Sequence, residues 1–259
     1  MDTSTGTLLN GAVKHPLLLA DPWFMITVLG LYLYVVNSVL PQFMLFRKPF
    51  ELKKFMLLHN VIQVVSCIYV IREILFVTDN GVIYFWKCRQ LSQSTENVRR
   101  HFSLAYFLFW LKLSELVETM IFVLRQKQNQ VTKLHLFHHV ATLTLVYLLI
   151  HYNQNGSSAY FCAFLNSIVH IIMYSYYFVA AVADKSIVRT LQPIKKSITV
   201  IQMVQFALIL VQLPTQIVLC GVPRGVIIYF GTVIIAMFYG FYDFYTKAYK
   251  SDHRVKNRE

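Results

Sequence analysis

Apolar runs long enough to cross a bilayer alternate with short polar links along almost the whole chain, and this alternation predicts seven membrane helices. The clearest run, residues 23–46, holds no charge between Asp21 and Arg47 and carries Trp23 as an interfacial anchor. The second, 55–77, contains His59, Arg72 and Glu73, and the third, 102–124, contains Lys112, Glu115 and Glu118. Runs at 134–150, 159–182, 197–219 and 225–245 complete the set. Phe85, Trp86 and Cys88 make the segment between the second and third runs read as a folded loop, while Asn153 to Ser157 and Cys220 to Pro223 read as turns. The expected organisation is one membrane domain over residues 1–259: a non-cytosolic segment 1–22, spans within 23–245, and a basic tail 246–259.

Composition excludes the soluble alternatives. With 56% hydrophobic and 14% charged residues, the chain is far more apolar than a soluble domain of its length. The net charge of +12 does not point to nucleic acid, because the basic residues sit between and after the spans rather than on one face. The links after the first, third and fifth spans and the tail hold sixteen of the 24 lysines and arginines, which puts the tail in the cytosol and the N-terminus on the other side. Cys88 and Cys220 then share the non-cytosolic, oxidising side, where a disulfide persists. The sequon at Asn155 falls on the same side.

Polar residues inside the spans are costly, and here they share helical faces. His135, His138 and His139 stand at i, i+3 and i+4 at the start of the fourth span. Asn166, His170, Met173, Tyr174 and Tyr177 follow one face of the fifth. Thr199, Gln202 and Gln205 mark the start of the sixth, with Gln212 and Gln216 further along the stripe. At about 1.5 Å per residue these groups and Glu115, Glu118 and Thr119 reach overlapping depths. The expectation is a polar chamber in a tunnel open to the cytosol, with a dry far half suited to an alkyl chain and with Ala163 and Gly231 as positions that set its length. Iron-dependent oxygenation also uses His-x-x-His-His, but four of the nine histidines (His15, His101, His151 and His253) lie in loops or tails, which starves a di-iron centre of ligands. Imidazole as nucleophile and base points instead to acyl transfer, with no metal. The runner-up is a seven-span receptor or transporter, whose site would be expected at broken helices, which spans three to five lack.

Four motifs in order resemble the very-long-chain fatty acid elongases, the membrane 3-ketoacyl-CoA synthases, along essentially the whole chain. Lys112-x-x-Glu115-x-x-Glu118-Thr119 is similar to K-x-x-E-x-x-D-T, with Glu118 in place of the usual aspartate. His135-x-x-His138-His139 is similar to H-x-x-H-H. The run from Asn166 to Tyr177 matches N-x-x-x-H-x-x-M-Y-x-Y-Y, and Thr199-x-x-Gln202-x-x-Gln205 matches T-x-x-Q-x-x-Q. The resemblance implies condensation of a long acyl-CoA with malonyl-CoA, without a cofactor, in the endoplasmic reticulum membrane with the N-terminus luminal. It implies His138 as nucleophile, His170, His135 and His139 in proton transfer and orientation, and Asn166 or Gln202 and Gln205 at the oxyanion or enolate. Lys112, Glu115, Glu118, Tyr174 and Tyr177 would serve substrate binding. Partners would be the bilayer, the reductases and dehydratase of the elongation cycle, and a second copy in a homodimer.

Overall fold

The structure, a computed structural model, describes residues 21–79, 81–83, 94–152, 159–220 and 222–250. Among them all regular structure is helical. The main elements are α1 (Pro22–Met44), α2 (Lys53–Val77), α3 (Thr95–Leu124), α4 (Lys133–Tyr152), α5 (Ala159–Val182), α6 (Lys185–Thr190), α7 (Gln192–Leu219) and α8 (Arg224–Tyr245). A short helical turn, Gly81–Ile83, follows α2.

Six of these helices, α1, α2, α4, α5, α7 and α8, are long and apolar enough to cross a membrane, so the protein is a multi-pass membrane protein. The third expected span lies within the 30-residue α3 but is not among the six. Lys112, Glu115 and Glu118 place three ionisable side chains within its apolar stretch, and all three are buried. Burial against protein lets a helix carry such charges; exposure to hydrocarbon would not.

The described residues cluster into two compact units, one comprising 21–51 and 94–152, the other 52–83 and 159–250. In the first, Asp21 caps α1 by accepting from the Trp23 N–H at 2.9 Å, with Pro22 in the first turn. Pro41 has no N–H to donate and its ring would clash with the carbonyl four residues back. The turn ahead of it, Val35–Val39, widens to a π-helix, and the Leu40 N–H reaches back to the Val35 carbonyl. Ser94 caps α3, its Oγ accepting from the Asn97 N–H at 3.3 Å.

At the other end of α3, Gln126 takes a left-handed φ of 54°. The Lys127 N–H bonds the Phe122 carbonyl and the Gln126 N–H the Val123 carbonyl, a closure that usually falls to glycine. The Gln126 carboxamide compensates by donating to the carbonyls of Met44 (3.3 Å) and Arg47 (2.8 Å), tying the end of α3 to that of α1. Between these ends Met25, Tyr32 and Val36 of α1, Phe109, Leu116 and Val123 of α3 and Leu143 of α4 form one buried cluster. On α3 the cluster residues repeat every seven positions, and Lys112 and Thr119 occupy the alternate buried layers between them.

The second unit pairs α2 with α5 and α7 with α8, and α5 also packs on α7. α2 turns apolar residues outward and carries its buried polar groups inward: Leu58, Ile62, Val65, Ile68 and Phe76 are exposed, whereas His59, Asn60, Gln63 and Glu73 are buried beside Cys67, Val70, Ile74 and Val77. This inversion of the soluble pattern suits a hydrocarbon solvent. The Glu73 carboxylate accepts from the Arg72 guanidinium at 2.7 Å, and Arg72 keeps 71% of its side chain exposed. Pro214 interrupts the backbone ladder of α7 between Gln212 and Gln216, two buried residues whose carboxamides pair at 3.0 Å.

Gly231 is expected from the sequence to line the tail end of a tunnel. A Cβ there would come within 3.0 Å of Leu213 Cδ2, so the glycine lets α7 and α8 approach closely. Ala163, half-buried on α5, is therefore the cleaner position for a chain-length test. Gly231→Leu should destabilise the detergent-solubilised protein by about 1–3 kcal/mol through overpacking, and Gly231→Ala by less, because Leu213 can turn aside. Thermal unfolding read by tryptophan fluorescence measures this; an unchanged midpoint for the leucine variant would contradict the close-approach role.

Candidate functional site

In the first unit the candidate residues lie on α3 and α4. Thr132 caps α4: its Oγ1 accepts from the His135 N–H at 3.1 Å, and its carbonyl accepts from the Leu136 N–H at 3.0 Å. The cap fixes where α4 starts, and hence which way its three histidines project. The ring centroids of His135 and His139 lie 4.4 Å apart at 68°, and those of His138 and His139 5.5 Å apart at 82°. The imidazoles thus form an edge-to-face group. His139 is buried, and His135 and His138 are half-buried.

α3 and α1 hold this group in place. Thr119 Oγ1 lies 2.9 Å from His135 Nε2 and 2.8 Å from the Tyr32 hydroxyl. The threonine bridges all three helices of the unit, and a hydroxyl's donor and acceptor capacity allows it to serve both neighbours at once. Phe122 packs against the His135 ring, 5.4 Å between centroids. One turn before the bridge, Lys112 Nζ donates to Glu115 Oε1 at 2.8 Å and to Oε2 at 3.1 Å. With side chains 8% and 1% exposed, this is an ion pair out of contact with water. Glu118 is buried on the same helix.

The second unit holds the other candidates. On α5, Tyr174 is 1% exposed and stands edge-on to His170, 5.5 Å between centroids at 76°, and to His59 of α2, 6.1 Å at 80°. His170 is buried and Asn166, one turn earlier, half-buried. Tyr177 contacts the Tyr174 ring at 6.1 Å but is itself exposed. On α7, Gln205 is buried, and the half-buried Gln202 donates from Nε2 to Met173 Sδ at 3.8 Å. Cys220 is disulfide-bonded. Its expected partner Cys88 lies outside the described residues, as do the sequon at Asn155 and residues 251–259 of the tail.

Two participants are not marked as site residues by the sequence. Tyr32 gives no signal, since a tyrosine in an apolar run resembles an interfacial residue; only its contact with Thr119 singles it out. His59 is visible as a polar residue in a span, but no spacing links it to the fifth span, and the ring contact with Tyr174 is what joins them.

Removing one member of the buried pair leaves the other charge without its counterion, which costs about 3–5 kcal/mol. Lys112→Met should therefore destabilise the protein strongly, and adding Glu115→Leu should recover most of the loss. Thermal midpoints of the two single variants and the double variant measure the coupling; additive losses would show that the ion pair is not what holds these side chains.

The family ELO: GNS1/SUR4 matches residues 17–257. Very long chain fatty acid elongase 1 of Homo sapiens is 33% identical over 243 residues, 89% of this chain and 84% of that protein. Very long chain fatty acid elongase 7 of Rattus norvegicus is 32% identical over 254 residues, 95% of this chain and 89% of that protein. Very long chain fatty acid elongase F of Drosophila simulans is 34% identical over 245 residues, covering 88% and 89%. With the membrane helices and the four motifs in place, these matches establish that the chain belongs to the ELO (GNS1/SUR4) family, the very-long-chain fatty acid elongases.

Proposed function

We propose that this enzyme of fatty acid elongation performs the condensing step, joining a long-chain acyl-CoA to malonyl-CoA as a very-long-chain 3-ketoacyl-CoA synthase. The observation that carries the reading is the three-imidazole group of α4, tethered through Thr119, in a chain of the elongase family. Imidazole is both nucleophile and base near neutral pH, and a fixed, partly dehydrated ring loses little entropy on reaction.

An imidazole nitrogen of His138 attacks the acyl thioester carbonyl. The C–S bond breaks and CoA leaves as the thiol, taking a proton from the imidazole. Malonyl-CoA then loses CO2, and the electron pair of the broken C–C bond becomes an enolate. Its carbon attacks the acyl-imidazole, a new C–C bond forms as the C–N bond breaks, and the nitrogen recovers a proton. The product is a 3-ketoacyl-CoA two carbons longer. His135, His139 and His170 orient groups and move protons, while Asn166, or Gln202 and Gln205, hold the oxyanion or enolate. Lys112, Glu115, Glu118, Tyr174 and Tyr177 contact substrate, and the basic links attract the CoA phosphates.

The remaining assignments belong to the same reading. Residues 1–259 form one elongase domain of seven spans around a tunnel open to the cytosol, in the endoplasmic reticulum membrane, with a luminal N-terminus and a cytosolic tail. Cys88 and Cys220 form a luminal disulfide. No metal or cofactor takes part, the protein works with the reductases and dehydratase of the cycle, and it pairs as a homodimer.

Labelled malonyl-CoA offered with a panel of acyl-CoAs tests the activity. The expected products are 3-ketoacyl-CoAs two carbons longer than each accepted substrate, and no product with any acceptor would refute the reading. His138→Ala and His170→Ala should each lower turnover on the order of 10³-fold or more with membrane insertion intact; near-normal turnover in either would remove the proposed mechanism. Ala163→Phe should shorten the longest product while sparing shorter acceptors, because each buried methylene contributes about 0.8 kcal/mol. An unchanged product profile would mean that the tail does not pass Ala163.

A further inference from the structure

The inner face of α2 carries a group that the motifs leave out. Asn60, Gln63, Cys67, Val70, Ile74 and Val77 follow one another at spacings of three and four, and all are buried. Carboxamides fill the first two layers of this stripe, and apolar residues fill the last three. Asn60 is 5% exposed, and its Nδ2 has no hydrogen-bond partner among the described residues. Buried amide donors are rarely left unpaired in native structures, and each exception calls for an explanation, of which a catalytic role is one.

The packing of α2 on α5 fixes what lies level with Asn60. His59 contacts Tyr174, and the turn Gly81–Ile83 that follows α2 also contacts α5. A parallel pair would carry that turn beyond the end of α5 at Val182, so the two helices run antiparallel. From the level of His59 and Tyr174, one turn along α2 leads to Gln63 and one turn back along α5 leads to His170, each a rise of about 6 Å. Asn60 lies on α2 between those two levels. It rises only about 1.5 Å beyond His59, so it is an amide donor within one helical turn, about 4.5 Å along the axis, of the level of a histidine to which the condensation reading gives a role.

We propose that Asn60 contacts the substrate: its Nδ2–H donates to the carbonyl oxygen of a CoA thioester brought to His170. The bond strengthens as negative charge develops on that oxygen, when a nucleophile adds to the acyl thioester or when malonyl-CoA becomes an enolate. A neutral, immobile amide suits the role, because it is already oriented and carries no charge that must be desolvated. This assignment rests on the condensing activity proposed above.

The full-length protein with Asn60→Leu or Asn60→Ala tests it through three readouts: thermal midpoint, kcat and KM of condensation, and CoA release from acyl-CoA alone. A donor that serves only the substrate makes no contribution to the resting fold, so Asn60→Leu should leave the midpoint unchanged or raised. Both variants should lose on the order of 10²–10³-fold in kcat, with KM changing by no more than about threefold. Slowed CoA release from acyl-CoA alone assigns the acyl thioester as the acceptor. Slowing only when malonyl-CoA is present assigns the malonyl enolate, and either result supports the proposal. A lowered midpoint with kcat per folded protein unchanged would show a structural amide and overturn it, as would unchanged kcat in both variants. If the wild-type protein itself forms no condensation product, the condensing reading falls and this assignment falls with it.

Discussion

Within a bilayer no water is at hand to satisfy a polar side chain, so each one must find its partner inside the protein. This constraint organises both units. It places the buried polar groups of α2 on its inner face, and it sets the Lys112 ammonium against the Glu115 carboxylate at 2.8 Å, both buried. It makes Thr119 the common partner of Tyr32 and His135, so that one hydroxyl joins three helices. Thr119, Tyr32 and His135 thus help to fix how α1, α3 and α4 pack. Substituting them is expected to disturb this packing, so stability and turnover must be measured separately for each variant.

Local backbone devices then set these side chains in place. The π-helical turn before Pro41 lets α1 continue past a residue that cannot donate, and Tyr32 lies just ahead of it. Thr132 fixes the first turn of α4, and with it the phase of His135, His138 and His139. The left-handed Gln126 ends α3 and fastens that end to α1, which sets the height at which Thr119 meets both neighbours. Each device involves a few residues far apart in sequence, and each bears on the orientation of an imidazole.

The helical class and six of the spans were legible because apolar runs of membrane length have few other uses. The histidine cluster on one face of α4 was legible because spacings of three and four fix helical phase without any tertiary knowledge. α3 was harder to classify: its apolar length reads as a span, while its buried Lys112, Glu115 and Glu118 hold it apart from the other six. Tyr32 and His59 could not be found as site residues, because their roles come from contacts with Thr119 and Tyr174, which are remote in sequence. Gly231 is ambiguous for a related reason. A glycine in a span is equally compatible with lining a cavity and with close helix packing, and the sequence holds no sign that Leu213 lies against it.

The proposed mechanism depends on a histidine, held in a fixed cluster, that takes the acyl group from its thioester. Intact mass of the purified protein after exposure to acyl-CoA alone, followed by peptide mapping, tests it most directly. The expected result is up to one acyl group per chain, located on His138 and discharged when malonyl-CoA is added. An adduct on Cys162, the half-buried cysteine of α5 one turn before Asn166, or turnover with no acyl-enzyme at any time, would contradict it.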